Sequence, residues 1–280
     1  MSVLVSLLLG LVQGITEFLP VSSSGHLSIL QNLFKLPYEE GENLLFTVLL
    51  HLGTLVSICV VYRTDIVAMI SDGIGFLKAR ADSDLGEPIV LKPQGRVLLF
   101  VIIGTIPMLL TLFFLGSVSR LLLSTGFIGF ALIVTGVLLF ISERYIEKGN
   151  KTERNMTVMD AVIIGLAQAV SVLPGLSRSG TTIVVGLSRG LSGSFAVRFS
   201  LLLSIPAVIG ATLIEIFKAI RDGVNFSLFP VYLAGFVVAV VTGFFAIQII
   251  RRLASKSGFG MIAYYCWGVG ILTILLTFIL

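Results

Sequence analysis

Residues 13–26 read Gln-Gly-Ile-Thr-Glu-Phe-Leu-Pro-Val-Ser-Ser-Ser-Gly-His, and residues 174–182 read Pro-Gly-Leu-Ser-Arg-Ser-Gly-Thr-Thr. Both stretches interrupt segments that are otherwise apolar, 3–33 and 158–187. Irregular backbone at membrane depth is tolerated only where protein or a wet cavity satisfies its polar groups. Each interrupted segment therefore predicts two half-helices joined by a tight turn, which is a re-entrant hairpin and not a membrane span.

The rest of the chain is strongly apolar. Of its 280 residues, 56% are hydrophobic and 12% are charged, a balance that a water-soluble protein of this size could not keep off its surface. Six further runs are long enough to cross a bilayer: 44–62, 97–118, 125–142, 199–217, 229–250 and 261–280. We predict an all-α polytopic membrane protein whose residues 1–280 form a single integral membrane domain. The modest net charge of +4 is spread over short loops, so no nucleic-acid partner is expected.

The two interrupted segments resemble each other. Gly-Leu-Val-Gln at 10–13 corresponds to Gly-Leu-Ala-Gln at 165–168, and the Ser-Ser-Ser-Gly and Ser-Arg-Ser-Gly motifs begin at Ser22 and Ser177, again 155 positions apart. Each hairpin is followed by three spans, and an odd number of spans inverts the second copy in the membrane. We predict an inverted-topology repeat of residues 1–142 and 158–280, each half a re-entrant broken-helix hairpin plus three transmembrane helices.

The loops between these elements are basic on one side of the membrane. Twelve Lys and Arg residues share that side, against four on the other, so it is predicted to be cytoplasmic and both termini external. The twelve are Arg63, Lys78, Arg80, Lys92, Arg96, Arg144, Lys148, Lys151, Arg154, Arg251, Arg252 and Lys256. We call this side the basic face. The first hairpin then enters from outside and the second from the cytoplasm.

The first interruption carries an acid, a run of hydroxyls and an imidazole. Gln13 and Glu17 lie four residues apart on one helix face, where a carboxylate inside the bilayer needs a cation, a metal or a proton. The serines at 22–24 precede a half-helix whose free N–H groups favour an anion, and His26 follows one turn later. A serine beside a histidine is a nucleophile arrangement. Three serines at a turn can equally be helix caps, and the spacing does not decide between these roles.

The second interruption adds positive charge. Arg178 lies in a turn whose backbone N–H groups, hydroxyls and guanidinium could bind one oxyanion together. This pattern predicts a phosphate cradle, the alternative being a loop arginine that snorkels to the surface. His51, Arg198 and Glu215 are also polar residues in or near spans, but each is isolated in the sequence. Packing, topology or snorkelling roles are expected for these three.

Together the two motifs resemble those of the bacterial undecaprenyl-diphosphate phosphatase family, also called the bacitracin resistance protein family, and the likeness covers essentially the whole chain. The resemblance implies hydrolysis of a C55 polyprenyl diphosphate to the monophosphate and phosphate, which recycles the carrier lipid for cell-wall synthesis and confers bacitracin resistance. It also implies a divalent cation, Mg²⁺ or Ca²⁺, and a multi-pass location in the bacterial inner membrane with the site open to the outer face. The partners are then the lipid substrate and the bilayer, and a homodimer is left open.

The resemblance also implies roles for individual residues. Glu17, Ser23, His26 and Arg178 would be catalytic. The substrate phosphates would be bound by Ser22, Ser24, Ser177, Ser179 and Thr182. Glu17 and Gln13 would bind the metal, although many relatives have Glu at the position of Gln13. An amide lowers the negative charge available to a cation, while its oxygen can still be a ligand.

Two mechanisms and one rival function remain open at this point. In the first mechanism His26 takes the proton of Ser23, which attacks the terminal phosphorus; in the second His26 activates water and Ser23 is a ligand. The rival function is a transporter or flippase of an anionic lipid or phosphate-like anion, since inverted repeats with broken helices are a transporter architecture. A transporter needs no serine and histidine in register, so the sequence favours an enzyme.

Overall fold

A computed structural model describes residues 1–33, 41–82, 90–111, 124–146, 148–222, 228–254 and 258–278. Within these ranges the chain forms eleven α-helices and no β-strand. They are α1 (Val3–Phe18), α2 (Ser23–Leu33), α3 (Gly41–Val61), α4 (Arg63–Asp82), α5 (Pro93–Leu109), α6 (Thr125–Ile146), α7 (Val158–Val170), α8 (Arg178–Ser188), α9 (Gly193–Asp222), α10 (Phe229–Ala254) and α11 (Phe259–Leu276). The predicted all-α class is confirmed.

The long apolar helices match the predicted spans. Among the described residues, α6, α9, α10 and α11 are each long and apolar enough to cross a membrane, and α3 with α4 adds a fifth candidate as a bent pair. The predicted span 97–118 corresponds to α5, a helix of 17 residues, while 112–118 lies outside the described residues. The chain is therefore a multi-pass membrane protein.

Both predicted hairpins form, as α1 with α2 and α7 with α8. Their turns contain two residues with left-handed backbone, Ser22 at φ 70° and Gly175 at φ 88°. Glycine adopts this conformation freely, whereas a serine there is strained and needs its surroundings to hold it. The strain at Ser22 lies one residue before the predicted nucleophile, Ser23.

Each hairpin packs against a span of the opposite half of the chain. Helix α1 packs on α10, where a Cβ added to Gly10 would overlap the carbonyl oxygen of Gly235, and α7 packs on α5, where Gly165 meets the carbonyl oxygen of Gly104 in the same way. Helix α5 is the second predicted span of the first half, and α10 is the second predicted span of the second half. The hairpin of each half therefore packs against the corresponding span of the other half. This arrangement is consistent with an inverted repeat.

The hairpin turns also touch each other across the middle of the bundle. A Cβ built on Gly25 would lie 3.3 Å from the Cα of Gly175, and one built on Gly180 would lie 3.2 Å from the Cβ of Pro20. Gly25 and Gly180 are again 155 positions apart. The two interrupted motifs are therefore in contact, although they are far apart in the sequence.

One expectation about the loops was wrong. The sequence pattern predicts a basic loop after the first span, whereas residues 63–82 form helix α4, bent by 76° from α3. Its exposed apolar side chains recur every three or four residues, at Val67, Ile70, Ile74 and Leu77, so they form one stripe. A helix with such a stripe and basic residues beside it is suited to lie in the plane of a membrane surface.

Candidate active site

A cavity of about 240 Å³ lies where the two hairpin turns meet. Its walls come from both hairpins and from α3, α5 and α9, which supply mainly apolar side chains. The polar side chains that line it are Thr16, Glu17, Ser22, Ser23, Ser24, His51, Gln168, Ser171, Ser177, Arg178 and Ser179. A larger cavity on the basic face shares none of its lining residues with this one. We place the candidate active site in the smaller cavity because the motif residues converge there.

Glu17 is the hub of the cavity. Its Oε2 accepts a hydrogen bond from Ser23 Oγ at 2.6 Å and another from Gln13 Nε2 at 3.0 Å. Its Oε1 accepts from Arg178 Nη2, and the second guanidinium nitrogen donates to the carbonyl oxygen of Ser204 at 3.3 Å. The carboxylate side chain is only 6% exposed. One buried acid thus contacts a hydroxyl, an amide and the predicted phosphate-binding cation.

The structure distinguishes caps from candidate nucleophile among the serines. Ser22 Oγ accepts from the N–H of Gly25 at 3.2 Å, and Ser177 Oγ accepts from the N–H of Gly180 at 3.1 Å. These are N-cap interactions at the first turns of α2 and α8. Ser23 instead directs its hydroxyl to Glu17. The geometry therefore favours Ser23 as the nucleophile and gives Ser22 and Ser177 a capping role.

Of the remaining predicted phosphate-binding residues, two line the cavity and one does not. Ser24 and Ser179 line the cavity, so they remain candidates for contact with phosphate. Thr182 Oγ1 donates to the carbonyl oxygen of Arg178 at 2.9 Å and lies against the hydroxyl of Ser200. Thr182 is not among the cavity-lining residues. The Thr182 hydroxyl therefore stabilises the first turns of α8 on the side that faces α9, away from the cavity.

His26 is not placed against Ser23. Its Nδ1 lies 2.8 Å from the carbonyl oxygen of Ser22, and its Nε2 lies 2.8 Å from the hydroxyl of Tyr265. A carbonyl oxygen only accepts, so Nδ1 carries the proton in the neutral ring and Nε2 faces Tyr265. Helical geometry explains this contact, because Ser22 lies four residues before His26 and its carbonyl oxygen is therefore within reach of the imidazole ring. Tyr265, on α11, is a neighbour that the motif spacing could not indicate.

His51 and Glu215 are also closer to the site than their isolation in the sequence suggested. His51 lines the cavity from α3, and its Nδ1 lies 3.8 Å from Oε2 of Glu215 on α9. Neither of these two atoms has a hydrogen-bond partner within the described part of the chain. Ionisable groups inside a membrane domain commonly mark functional sites. This rule is the sequence feature that could have placed His51 and Glu215 near the site.

Two buried amide oxygens could hold a cation. Gln13 and Gln168 correspond in the repeat, both are fully buried, and Oε1 of each has no hydrogen-bond partner among the described groups. Amide and carboxylate oxygens are ligands that Mg²⁺ and Ca²⁺ accept. The described residues contain no group of three or more His, Cys, Asp or Glu side chains that could hold a metal. The oxygens that could hold a cation here are those of Glu17, Gln13 and Gln168, of which Glu17 and Gln168 line the cavity and Gln13 does not.

Comparisons with known proteins agree on one family. The family model described as bacitracin resistance protein BacA matches residues 6–272. A protein from Alkaliphilus metalliredigens named undecaprenyl-diphosphatase is 40% identical over 272 residues, covering 96% of this chain and 97% of the relative. Proteins of the same name from Carboxydothermus hydrogenoformans and Methanosphaera stadtmanae are each 38% identical, covering 97% and 100% of this chain and 96% and 100% of their own lengths.

Proposed function

The chain belongs to the bacitracin resistance protein BacA family, and we infer from this and from its site that it is an undecaprenyl-diphosphatase. The enzyme hydrolyses the C55 polyprenyl diphosphate to the monophosphate and inorganic phosphate. One observation carries the chemistry: the Ser23 hydroxyl, the Glu17 carboxylate and the Arg178 guanidinium converge in one cavity. A nucleophile, a base and an oxyanion-binding cation are the groups that phosphoryl transfer requires.

We propose that Glu17 is the base for the first step. Ser23 Oγ attacks the terminal phosphorus, the bond from phosphorus to the bridging oxygen breaks, and the polyprenyl monophosphate leaves. The proton of Ser23 passes to Glu17 Oε2, which already accepts its hydrogen bond at 2.6 Å. In the second step water attacks the phosphorus of the phosphoserine, and the bond from phosphorus to Ser23 Oγ breaks. Glu17 Oε2 returns its proton to Ser23 Oγ, and the hydrogens of the attacking water stay on the inorganic phosphate that is released.

Arg178 and the two half-helix N-termini supply the positive potential. The guanidinium lines the cavity beside the first turn of α8, and the first turn of α2 reaches the cavity at Ser23 and Ser24. Helix N-termini and arginine forks both stabilise phosphate oxygens. We propose that Arg178 exchanges part of its contact with Glu17 for the terminal phosphate when substrate binds, which also frees the carboxylate to accept a proton.

A divalent cation is proposed as cofactor. Glu17 and the amide oxygens of Gln13 and Gln168 would hold it together with the substrate phosphates, and the bound cation would neutralise negative charge on the diphosphate. The unpartnered oxygens of the two glutamines support this assignment. Gln168 extends the predicted ligand set of Glu17 and Gln13.

The lipid tail is proposed to lie along the outside of α5 and α9. An apolar groove of about 420 Å³ between α4, α5 and α9 is lined by residues next in sequence to those of the polar cavity, such as Leu109 beside Met108 and Pro206 beside Ala207. A prenyl chain there would stay in an apolar environment while its diphosphate enters the cavity. We further propose that the protein resides in the bacterial inner membrane with the site open to the outer face, as the basic loops indicate.

A phosphate-release assay tests the proposed function. Purified protein in detergent is given C55 diphosphate, and the expected result is one inorganic phosphate for each lipid monophosphate formed. Ser23→Ala protein should show no turnover, and wild-type protein quenched during turnover should carry a phosphoserine at Ser23. If wild-type protein reconstituted into lipid vesicles moves the lipid between leaflets and releases no phosphate, the transporter alternative is correct and the hydrolase is not.

A further inference from the structure

A second cavity, of about 590 Å³, lies on the basic face between the ends of α3 and α10 and the beginning of α9. It shares no lining residue with the candidate active site. Three arginines and two carboxylates line it: Arg198, Arg251, Arg252, Asp65 and Glu153. The cavity therefore carries a formal excess of one positive charge.

The carboxylates of this cavity are already compensated. Arg198 Nη2 lies 2.5 Å from Asp65 Oδ1, and its Nη1 lies 3.8 Å from Glu153 Oε2. Arg198, which was expected to act through topology or snorkelling, is thus the centre of an ion-pair network. Arg251 is different. Its guanidinium carbon lies 5.8 Å from the centre of the Tyr62 ring, and within the described part of the chain it forms no ion pair.

Two buried donors in the cavity lack acceptors. Tyr62 is only 4% exposed, and its hydroxyl has no hydrogen-bond partner among the described groups. Arg198 Nε is likewise buried and without a partner in that part of the structure. Buried polar groups are normally hydrogen-bonded, so unpaired donors beside a cavity point to a ligand that supplies acceptor oxygens.

The start of helix α9 adds a third feature of the same kind. Ser192 and Ser194 line the cavity on either side of Gly193, the first residue of this 30-residue helix. The first-turn N–H groups of a helix have no intrahelical acceptor and favour an anion. Guanidinium, hydroxyl and helix N-terminus together are the groups that bind a phosphate.

We propose that this cavity is a phosphate-binding site on the basic face, distinct from catalysis. Arg251 provides the guanidinium, Tyr62 provides the hydroxyl donor, and the N-terminus of α9 lies beside the bound oxygens. The phosphate can come from the headgroup of an anionic membrane lipid or from free orthophosphate. The proposal does not depend on the phosphatase activity, because it shares no residue with the site proposed for it.

The test measures binding to full-length purified protein. Thermal unfolding is followed during titration with orthophosphate at constant ionic strength, and lipids retained from phosphatidylglycerol vesicles or from phosphatidylcholine vesicles are counted by native mass spectrometry. Both measurements compare each variant with the wild-type protein, because the substituted residues lie outside the candidate active site and leave it the same in every sample. The variants are Arg251→Gln and Tyr62→Phe, and the matched control is Arg144→Gln, an exposed arginine on the same face that does not line the cavity.

We expect saturable stabilisation by orthophosphate, selective retention of the anionic lipid, or both. The first identifies free phosphate as a ligand and the second identifies the headgroup. Arg251→Gln should raise the half-saturating concentration, or lower lipid retention, at least tenfold, and Tyr62→Phe several-fold with the ring preserved. The proposal is overturned if neither ligand binds, if both variants bind as the parent does, or if Arg144→Gln weakens binding as much as Arg251→Gln.

Discussion

Replacement of Arg178 by lysine tests the proposed phosphate cradle most directly. The guanidinium donates to Glu17 from one nitrogen and to the carbonyl oxygen of Ser204 from the other. Lysine keeps the positive charge, but its single ammonium nitrogen cannot span both acceptors and present a fork to phosphate. Loss of one transition-state donor typically costs about 3 kcal/mol or slightly more, or roughly a hundredfold to a thousandfold in rate.

The effect should fall on turnover and leave substrate affinity nearly unchanged. We expect Arg178→Lys to lower kcat by that factor and to change KM by no more than about threefold, because the lost interaction is strongest in the transition state. Retention of charge matters for folding, since removing one partner of a buried ion pair costs about 3–5 kcal/mol. Initial rates of phosphate release, on protein shown to be folded by size-exclusion chromatography and thermal unfolding, provide the measurement.

Arg189 provides a matched control at the other end of the same helix. Its Nε lies 2.9 Å from Oδ1 of Asp160, which Lys151 also binds at 2.9 Å. A lysine at 189 leaves that carboxylate compensated, so Arg189→Lys should cost less than about 1 kcal/mol of stability and leave kcat unchanged. If Arg178→Lys retains near wild-type turnover, or if Arg189→Lys loses as much, Arg178 does not bind the reacting phosphate.

Five further substitutions and one chelation experiment have specific expected outcomes. Ser23→Ala should abolish phosphate release and the phosphoserine. Ser24→Ala should retain at least about a tenth of the rate, because the proposal gives Ser24 a hydrogen bond to phosphate and no covalent bond; a larger loss for Ser24→Ala than for Ser23→Ala would make Ser24 the nucleophile. Chelation should remove activity that Mg²⁺ or Ca²⁺ restores, and Glu17→Gln should stay inactive at any cation concentration. We propose that His51, which lines the cavity from α3, donates a hydrogen bond to a substrate phosphate, so His51→Asn should raise KM about tenfold, or about 1.4 kcal/mol; an unchanged KM would show that His51 does not contact the substrate. Gly165→Ala should lower the stability by about 1–3 kcal/mol through overpacking against α5, as seen in thermal unfolding.

Local patterns predicted the elements of the site, while long-range contacts decided how they are used. The interruptions around Glu17 and Arg178 are visible as polar residues in apolar segments, and hydropathy alone predicts two hairpins there. Which serine meets the carboxylate depends on the left-handed turn at Ser22, and no spacing rule contains that angle. His26 contacts Tyr265, which lies 239 residues away, so the sequence could not show that its Nε2 is already occupied.

The exchange of hairpins between the halves has a consequence for synthesis. Helix α1 is complete at Phe18, but the surface on which it packs is not made until Gly235 of α10 leaves the ribosome. At about 5–20 residues per second this delay is roughly 10–40 s. During that time α1, which carries the Glu17 carboxylate, can pack on α2 and α3 but lacks its most extensive partner, α10. Nascent chains stalled before α10 should therefore leave the face of α1 around Gly10 accessible to protease or to chaperones, and this accessibility should be lost once α10 has been made.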